Sequence, residues 1–242
     1  MESENRMPLA DHLEELRWRI IKCIIAVGVG FACSYAFSRK IFEFIVSPLI
    51  TVMPKGGHLI YTSLPEAFLT YLKVSFLSGI VLAVPVILYQ SWKFVMPGLY
   101  ENERKYVLPF VVVATVFFIL GASFAFFVVF PFGFKFFLGF STSKIEALPS
   151  LREYLNLVTK LLLAFGITFE LPVIVYFLAR MGIVTYSMLA RKRQYAILII
   201  FIAGAILTPP DVISQILLAV PLLVLYEISV WVAYVVGKDR KA

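Results

Sequence analysis

Residues 106–130 read YVLPFVVVATVFFILGASFAFFVVF, and no acidic or basic side chain occurs between Lys105 and Lys135. At 1.5 Å of rise per residue, this run makes a helix about 37 Å long. The hydrocarbon core of a bilayer is about 30 Å thick. The whole chain has the same character: 61% of its 242 residues are hydrophobic, 15% are charged, and mean hydropathy is +0.91. A soluble domain carries about a quarter charged residues, so this chain has too little charge to cover a water-facing surface. Lipid is the expected solvent.

Working outward from that run, the charges cut the sequence into six apolar blocks within one integral membrane domain, residues 1–242. The expected spans are about 20–37, 67–89, 106–130, 161–179, 195–207 and 212–227. Lys22 lies near enough to the end of the first to snorkel, and Ser63-Leu-Pro-Glu66 before the second reads as a capping box. The fifth block is 13 residues long, or about 20 Å of helix. The sixth meets its first charge at Glu227. Both are read as short spans accommodated by local thinning of the bilayer. A re-entrant hairpin, the alternative, would bury Asp211 and free backbone groups at mid-membrane, which is tolerated only inside protein. Small residues four apart mark candidate helix contacts: Gly28, Ala32 and Ala36 in the first span, Gly121 and Ala125 in the third.

Lys and Arg counts orient the chain. The N-terminal segment, the second and fourth loops and the tail hold fourteen, whereas the first, third and fifth loops hold six. The positive-inside rule then puts both termini in the cytoplasm. Trp18, Trp92 and Trp231 all fall at the cytoplasmic interface so defined, where indole rings prefer to sit. The net charge of +7 is therefore a topology signal; the basic residues form no continuous patch for nucleic acid. Cys23 and Cys33 lie about 15 Å apart along one helix, too far for a disulfide, and read as small apolar fillers.

Enzyme chemistry finds little support. His12 and His58 fall on opposite sides, so they build no zinc site, and no Walker-type glycine loop occurs. Three aspartates exist, Asp11, Asp211 and Asp239, and none sits mid-span with a partner. Four other features call for comment. In Asp11-His-Leu-Glu-Glu-Leu-Arg-Trp-Arg19, Leu9, Leu13 and Leu16 form an apolar stripe, with Glu14–Arg17 and Glu15–Arg19 at ion-pairing spacing. The carboxylates either make those pairs or receive a basic ligand. In Phe94-Val-Met-Pro-Gly-Leu-Tyr-Glu-Asn-Glu-Arg-Lys105, Pro97-Gly98 marks a turn, and Glu101 and Glu103 place acid on a basic side. Glu170 is the one acidic or basic residue among 161–179. A charge at a helix centre costs about 2.5–3.5 kcal/mol on insertion scales, so Glu170 is expected to face a polar concavity or a neighbouring helix. Pro172 offers no N–H to the Thr168 carbonyl and is expected to bend the helix there. Asp211, with Gln215 four residues on, reads as a cap of the sixth span or as a functional residue.

These stretches resemble the TatC family. The family's opening, His-Leu-x-Glu-Leu-Arg-x-Arg, is matched at His12–Arg19, and Phe-x-x-Pro-Gly-Leu-Tyr-x-x-Glu-Arg at Phe94–Arg104. Further matches are Pro48 in the first external loop, Pro-Glu-Ala-Phe at Pro65–Phe68, Phe-Glu-Leu-Pro at Phe169–Pro172 and Thr-Pro-Pro-Asp at Thr208–Asp211. The resemblance implies an all-α membrane protein, a concave bundle of six transmembrane helices, N-in and C-in, in a bacterial cytoplasmic (inner) membrane. It implies the receptor subunit of the twin-arginine translocase, which binds twin-arginine signal peptides of folded precursors. The receptor then recruits single-span TatB-like and TatA-like subunits for transport driven by the proton motive force.

It further implies a signal-peptide site of Glu15, Glu103, Arg17, Phe94, Tyr100 and Arg104. Glu170 becomes a docking point for a partner, and Pro48, Asp211 and Gln215 become functional residues of the periplasmic side. No catalytic residue, metal or cofactor is implied. A guanidinium is a rigid fork that suits carboxylates, so Arg-Arg recognition calls for paired acids. The rival readings are a proton-coupled secondary transporter with Glu170 and Asp211 as carriers and a membrane-embedded enzyme. The first span has no acid matching Glu170, and the second is not short like the fifth, so the inverted repeat common in transporters is missing.

Overall fold

The computed structural model describes residues 9–54, 57–95, 107–142, 147–208 and 211–239, and these are helical with no strand among them. The elements are α1 (Leu9–Ala36), α2 (Ser38–Val52), α3 (Glu66–Val95), α4 (Val107–Phe124), a π-helical turn (Ala125–Val129), α5 (Phe130–Leu138), α6 (Leu151–Phe169), α7 (Leu171–Arg180), α8 (Tyr186–Arg191), α9 (Arg193–Leu207) and α10 (Val212–Asp239). Among the described residues, five helical stretches are long and apolar enough to cross a membrane: His12–Ala36, Glu66–Phe94, Val107–Leu138, Leu151–Arg180 and Val212–Gly237. Arg193–Leu207 is apolar but shorter. Large apolar side chains line the exposed faces, among them Val112, Val116, Ile119 and Leu120 of α4 and Leu198, Ile202 and Ile206 of α9. Soluble monomers rarely leave such contiguous faces open. A lipid-solvated, multi-pass chain does so by design.

The described residues pack as two units whose boundaries fall inside α2, α3 and α4. In the first unit, Met1–Phe42 with Tyr71–Thr115, α1 and α3 cross at two glycines. A Cβ on Gly30 would meet the Gly79 carbonyl oxygen at 2.6 Å, and one on Gly79 would meet the Phe31 nitrogen at 2.6 Å. Absent side chains let backbones approach this closely. Gly28 has nothing within 4 Å, and Ala32 and Ala36 are exposed. The stripe expected to make contact therefore faces outward. Trp92 meets Phe110 of α4 edge-on at 4.0 Å.

In the second unit, Glu43–Thr70 with Val116–Ala242, α4 and α6 interlock at Gly121 and Gly166. A Cβ on Gly121 would fall 2.5 Å from the Phe165 carbonyl oxygen, and one on Gly166 would fall 2.6 Å from the Phe118 ring. The small-residue reading holds here, with Ala125 fully buried. Phe124 meets Phe165, and Phe126, Phe130, Phe134 and Tyr154 continue the packing as a chain of ring contacts. Helix α10 lies along α7 and α9.

The expected short sixth helix is corrected: α10 is 28 residues long and runs twelve residues past Glu227 to Asp239. Glu227 does not end it, because glutamate is a good helix former, and Arg193 of α9 grips both its carboxylate oxygens at 2.8 and 2.9 Å. The paired acid keeps helical geometry, and the apolar run beyond it continues the helix. The expected fourth span also breaks, as Pro172 suggested. Helix α6 ends at Phe169, Glu170 bridges, and α7 starts at Leu171.

Candidate functional site

The N-terminal site lies in the first unit, where the opening turns of α1 meet the end of α3. Glu15 and Arg19 are one helical turn apart, and Arg19 Nη2 donates to Glu15 Oε1. Arg19 Nη1 reaches across to Gln90 Oε1 of α3 at 3.4 Å. Arg19 is only 9% exposed, which is unusual for arginine unless it is paired. His12 stacks on Phe94 with ring centroids 4.3 Å apart and planes 17° apart, and its Nδ1 lies 4.0 Å from Glu15 Oε2. Among the described residues Glu15 Oε2 accepts no hydrogen bond and Arg19 Nε donates none.

Of the six residues expected to bind signal peptide, the structure brings Glu15 and Phe94 into one cluster through His12. Arg17 is exposed on α1, as is Glu14, and the two make no ion pair with each other. Leu13 is exposed as well. Tyr100, Glu103 and Arg104 lie outside the described residues. Arg19 and Gln90 were not singled out as site residues. Arg19 was legible only as a helix-spaced partner for Glu15, and Gln90 carried no signal.

The other expected residues lie in the second unit. Glu170 is 5% exposed, and neither carboxylate oxygen has a hydrogen-bond partner among the described residues. It sits at the junction of α6 and α7, where its N–H donates to the Ile167 carbonyl at 3.1 Å and its carbonyl accepts from Ile174 at 2.8 Å. The Thr168 hydroxyl turns back to the Ala164 carbonyl at 2.7 Å. Pro48 is buried within α2 beside Ile45, Val46 and Leu49, so the segment between α1 and α3 begins as a packed helix.

Asp211 caps α10. Its Oδ1 accepts the Ser214 N–H at 2.7 Å, and its Oδ2 accepts the Ser214 hydroxyl. Gln215 ties α10 to α9, donating from Nε2 to the Phe201 carbonyl at 2.8 Å. The described residues hold no cluster of three His, Cys, Asp or Glu side chains suited to a metal.

One carboxylate does more than its local sequence suggested. Glu66 is 5% exposed at the start of α3. Its Oε2 accepts the N–H groups of Thr62 at 2.9 Å and Ser63 at 3.3 Å, and its Oε1 accepts the Arg152 N–H at 3.0 Å. The expected capping box is thus half formed, and the free oxygen fastens the first turn of α6. Beside it, Ile60 pairs with the segment before α6: its N–H donates to Pro149 and its carbonyl accepts from Leu151. The Tyr154 hydroxyl donates to the Ile45 carbonyl of α2 at 2.6 Å. Polar bonds therefore join the segments before α3 and before α6 within the second unit.

The family model described as Sec-independent protein translocase protein (TatC) matches residues 11–221. A protein of that name from Desulforapulum autotrophicum is 52% identical over 98% of this chain and 88% of its own length. The one from Escherichia coli K12 is 42% identical over 99% of this chain and 93% of its own. A crystal structure described as the twin arginine translocase receptor TatC superposes with a TM-score of 0.84 at 39% identity, over 96% of this chain and 100% of that one. Whole-chain likeness in sequence and in fold leads to one assignment: the chain belongs to the TatC family of Sec-independent protein translocase proteins, which are transport components and not enzymes.

Proposed function

We propose that this chain is the receptor core of a twin-arginine translocase in a bacterial inner membrane, with six spans and both termini cytoplasmic. The carboxylates Glu15 and Glu103 receive the two guanidinium groups of a signal peptide, and Arg17, Phe94, Tyr100 and Arg104 border them. Each arginine fork offers parallel N–H donors to one carboxylate, a geometry that lysine lacks. No bond is made or broken, so binding energy does the work of selection. The observation that carries this reading is the guanidinium already held between Glu15 and Gln90, since a pocket that accommodates one such fork has the shape and charge to accept another.

Glu170 then docks a polar side chain of a TatB-like or TatA-like single-span subunit. A buried carboxyl with no partner costs about 1–3 kcal/mol or more, and an incoming donor removes that cost. Pro48, Asp211 and Gln215 hold the periplasmic side in shape, consistent with the packing of Pro48 and the bonds of the other two. Transport draws on the proton motive force. The rival reading of a secondary transporter loses support from Asp211, whose carboxylate is taken up by Ser214.

The test is binding of a signal peptide to purified protein by fluorescence anisotropy. A peptide with Arg-Arg is expected to bind at least tenfold more tightly than its Lys-Lys counterpart. Equal affinities would overturn the proposal.

A further inference from the structure

We infer that Arg19 is a resident competitor for Glu15, a guanidinium that fills the receptor carboxylate until a signal-peptide arginine displaces it onto Gln90. The inference rests on Glu15 being the peptide's acceptor, as proposed above. Three observations carry it. Arg19 is nine-tenths buried and donates to Glu15, so the unliganded site already holds the chemical group that its ligand presents. Its second amino group lies 3.4 Å from Gln90 Oε1, a long hydrogen bond that can shorten if the guanidinium moves toward α3. The site is also unsaturated: Arg19 Nε and Glu15 Oε2 are both without hydrogen-bond partners among the described residues. A guanidinium has five N–H donors and a carboxylate about four acceptor sites. The resident pair therefore leaves capacity unused that an incoming bidentate fork would fill.

The pairing has a chemical consequence. An unoccupied Glu15 would attract any cation, lysine-rich segments included. With Arg19 in place a ligand must outbid a guanidinium, and a compact ammonium makes no bidentate contact with which to do so. Competition lowers the affinity for every peptide, and it lowers lysine binding below usefulness. Gln90 is a positioning residue that receives Arg19 as it leaves Glu15.

The experiment measures Arg-Arg and Lys-Lys signal-peptide affinities for purified, full-length wild type, Arg19→Gln, Gln90→Leu, Glu15→Gln and the double variants Arg19→Gln/Glu15→Gln and Arg19→Gln/Gln90→Leu. Arg19→Gln is expected to tighten Arg-Arg binding about tenfold and Lys-Lys binding by at least as much. Gln90→Leu is expected to weaken Arg-Arg binding about threefold and to have no effect once Arg19 is replaced. Arg19→Gln has no effect without the Glu15 carboxylate. If Glu15→Gln binds like wild type, the acceptor assignment itself fails. If Glu15→Gln weakens binding while Arg19→Gln also weakens it or leaves it unchanged, Arg19 merely positions Glu15 and the competition is refuted. Should Arg19→Gln not fold, the sign of the Gln90→Leu effect decides alone, unchanged or tighter binding overturning the inference.

Discussion

Replacing Glu66 by alanine should destabilise the protein far more than removing a surface acid does. The carboxylate accepts from two backbone N–H groups at good distance, Thr62 at 2.9 Å and Arg152 at 3.0 Å, and from Ser63 at a longer 3.3 Å. A hydrogen bond to a charged group is worth about 1.5–3 kcal/mol, and a donor left dry and unpaired is costly. The two short bonds set an expected loss of about 3–5 kcal/mol, reduced toward 3 if water reaches the vacated donors. At about 2–4 °C per kcal/mol for a chain of this size, melting of detergent-purified protein should fall by about 6–20 °C. Intrinsic fluorescence of the three tryptophans reports it. Glu66→Gln keeps one acceptor but turns an NH2 toward the other donor, so it should fall nearer to alanine than to wild type. Glu153, exposed in the first turn of α6, is the control. Its replacement loses only a helix-terminus interaction of about 1 kcal/mol or less. Melting of Glu66→Ala within 2 °C of wild type would show that the carboxylate does not clasp these segments.

Three further outcomes are expected. Gly30→Ala forces a methyl to 2.6 Å from the Gly79 carbonyl oxygen and should cost about 1–3 kcal/mol as overpacking, whereas Gly28→Ala, with open space beside it, should leave the melting temperature unchanged or slightly raised. Glu170→Ala should weaken capture of a TatB-like subunit and block transport while signal-peptide binding persists. Glu170→Gln should retain more transport than alanine, and full transport by Glu170→Leu would refute the docking role. Cysteines at positions 192 and 241 should be labelled only from the cytoplasm and those at 55 and 144 only from outside; periplasmic labelling of position 192 would reverse the topology.

The helical membrane class was legible because charge-free runs near 20 residues have one economical solution in lipid. Contact faces were not legible, because both sides of an apolar helix look alike in sequence. Gly121 and Ala125 are packed, yet Gly28 and Ala32, with the same spacing, face outward while Gly30 makes the crossing. The end of α10 was missed because the partner that neutralises Glu227 lies 34 residues away. Glu66 was read only as a cap for the same reason, its third donor being 86 residues distant. The segment between the first two spans hid a helix, since its apolar residues Ile45, Val46 and Leu49 are too few to stand out beside the spans. For the site, acids on a basic face pointed to Glu15. The guanidinium that answers it was visible only as spacing, and Gln90 not at all.

Charge reversal shows whether Glu15 and Glu103 receive the signal peptide's arginines. Glu15→Lys and Glu103→Lys, purified in folded form, should each weaken Arg-Arg peptide binding by at least about thirtyfold, since losing one partner of a partly desolvated charge pair costs about 2–5 kcal/mol. Unchanged affinity in both variants would show that these carboxylates do not receive the arginines.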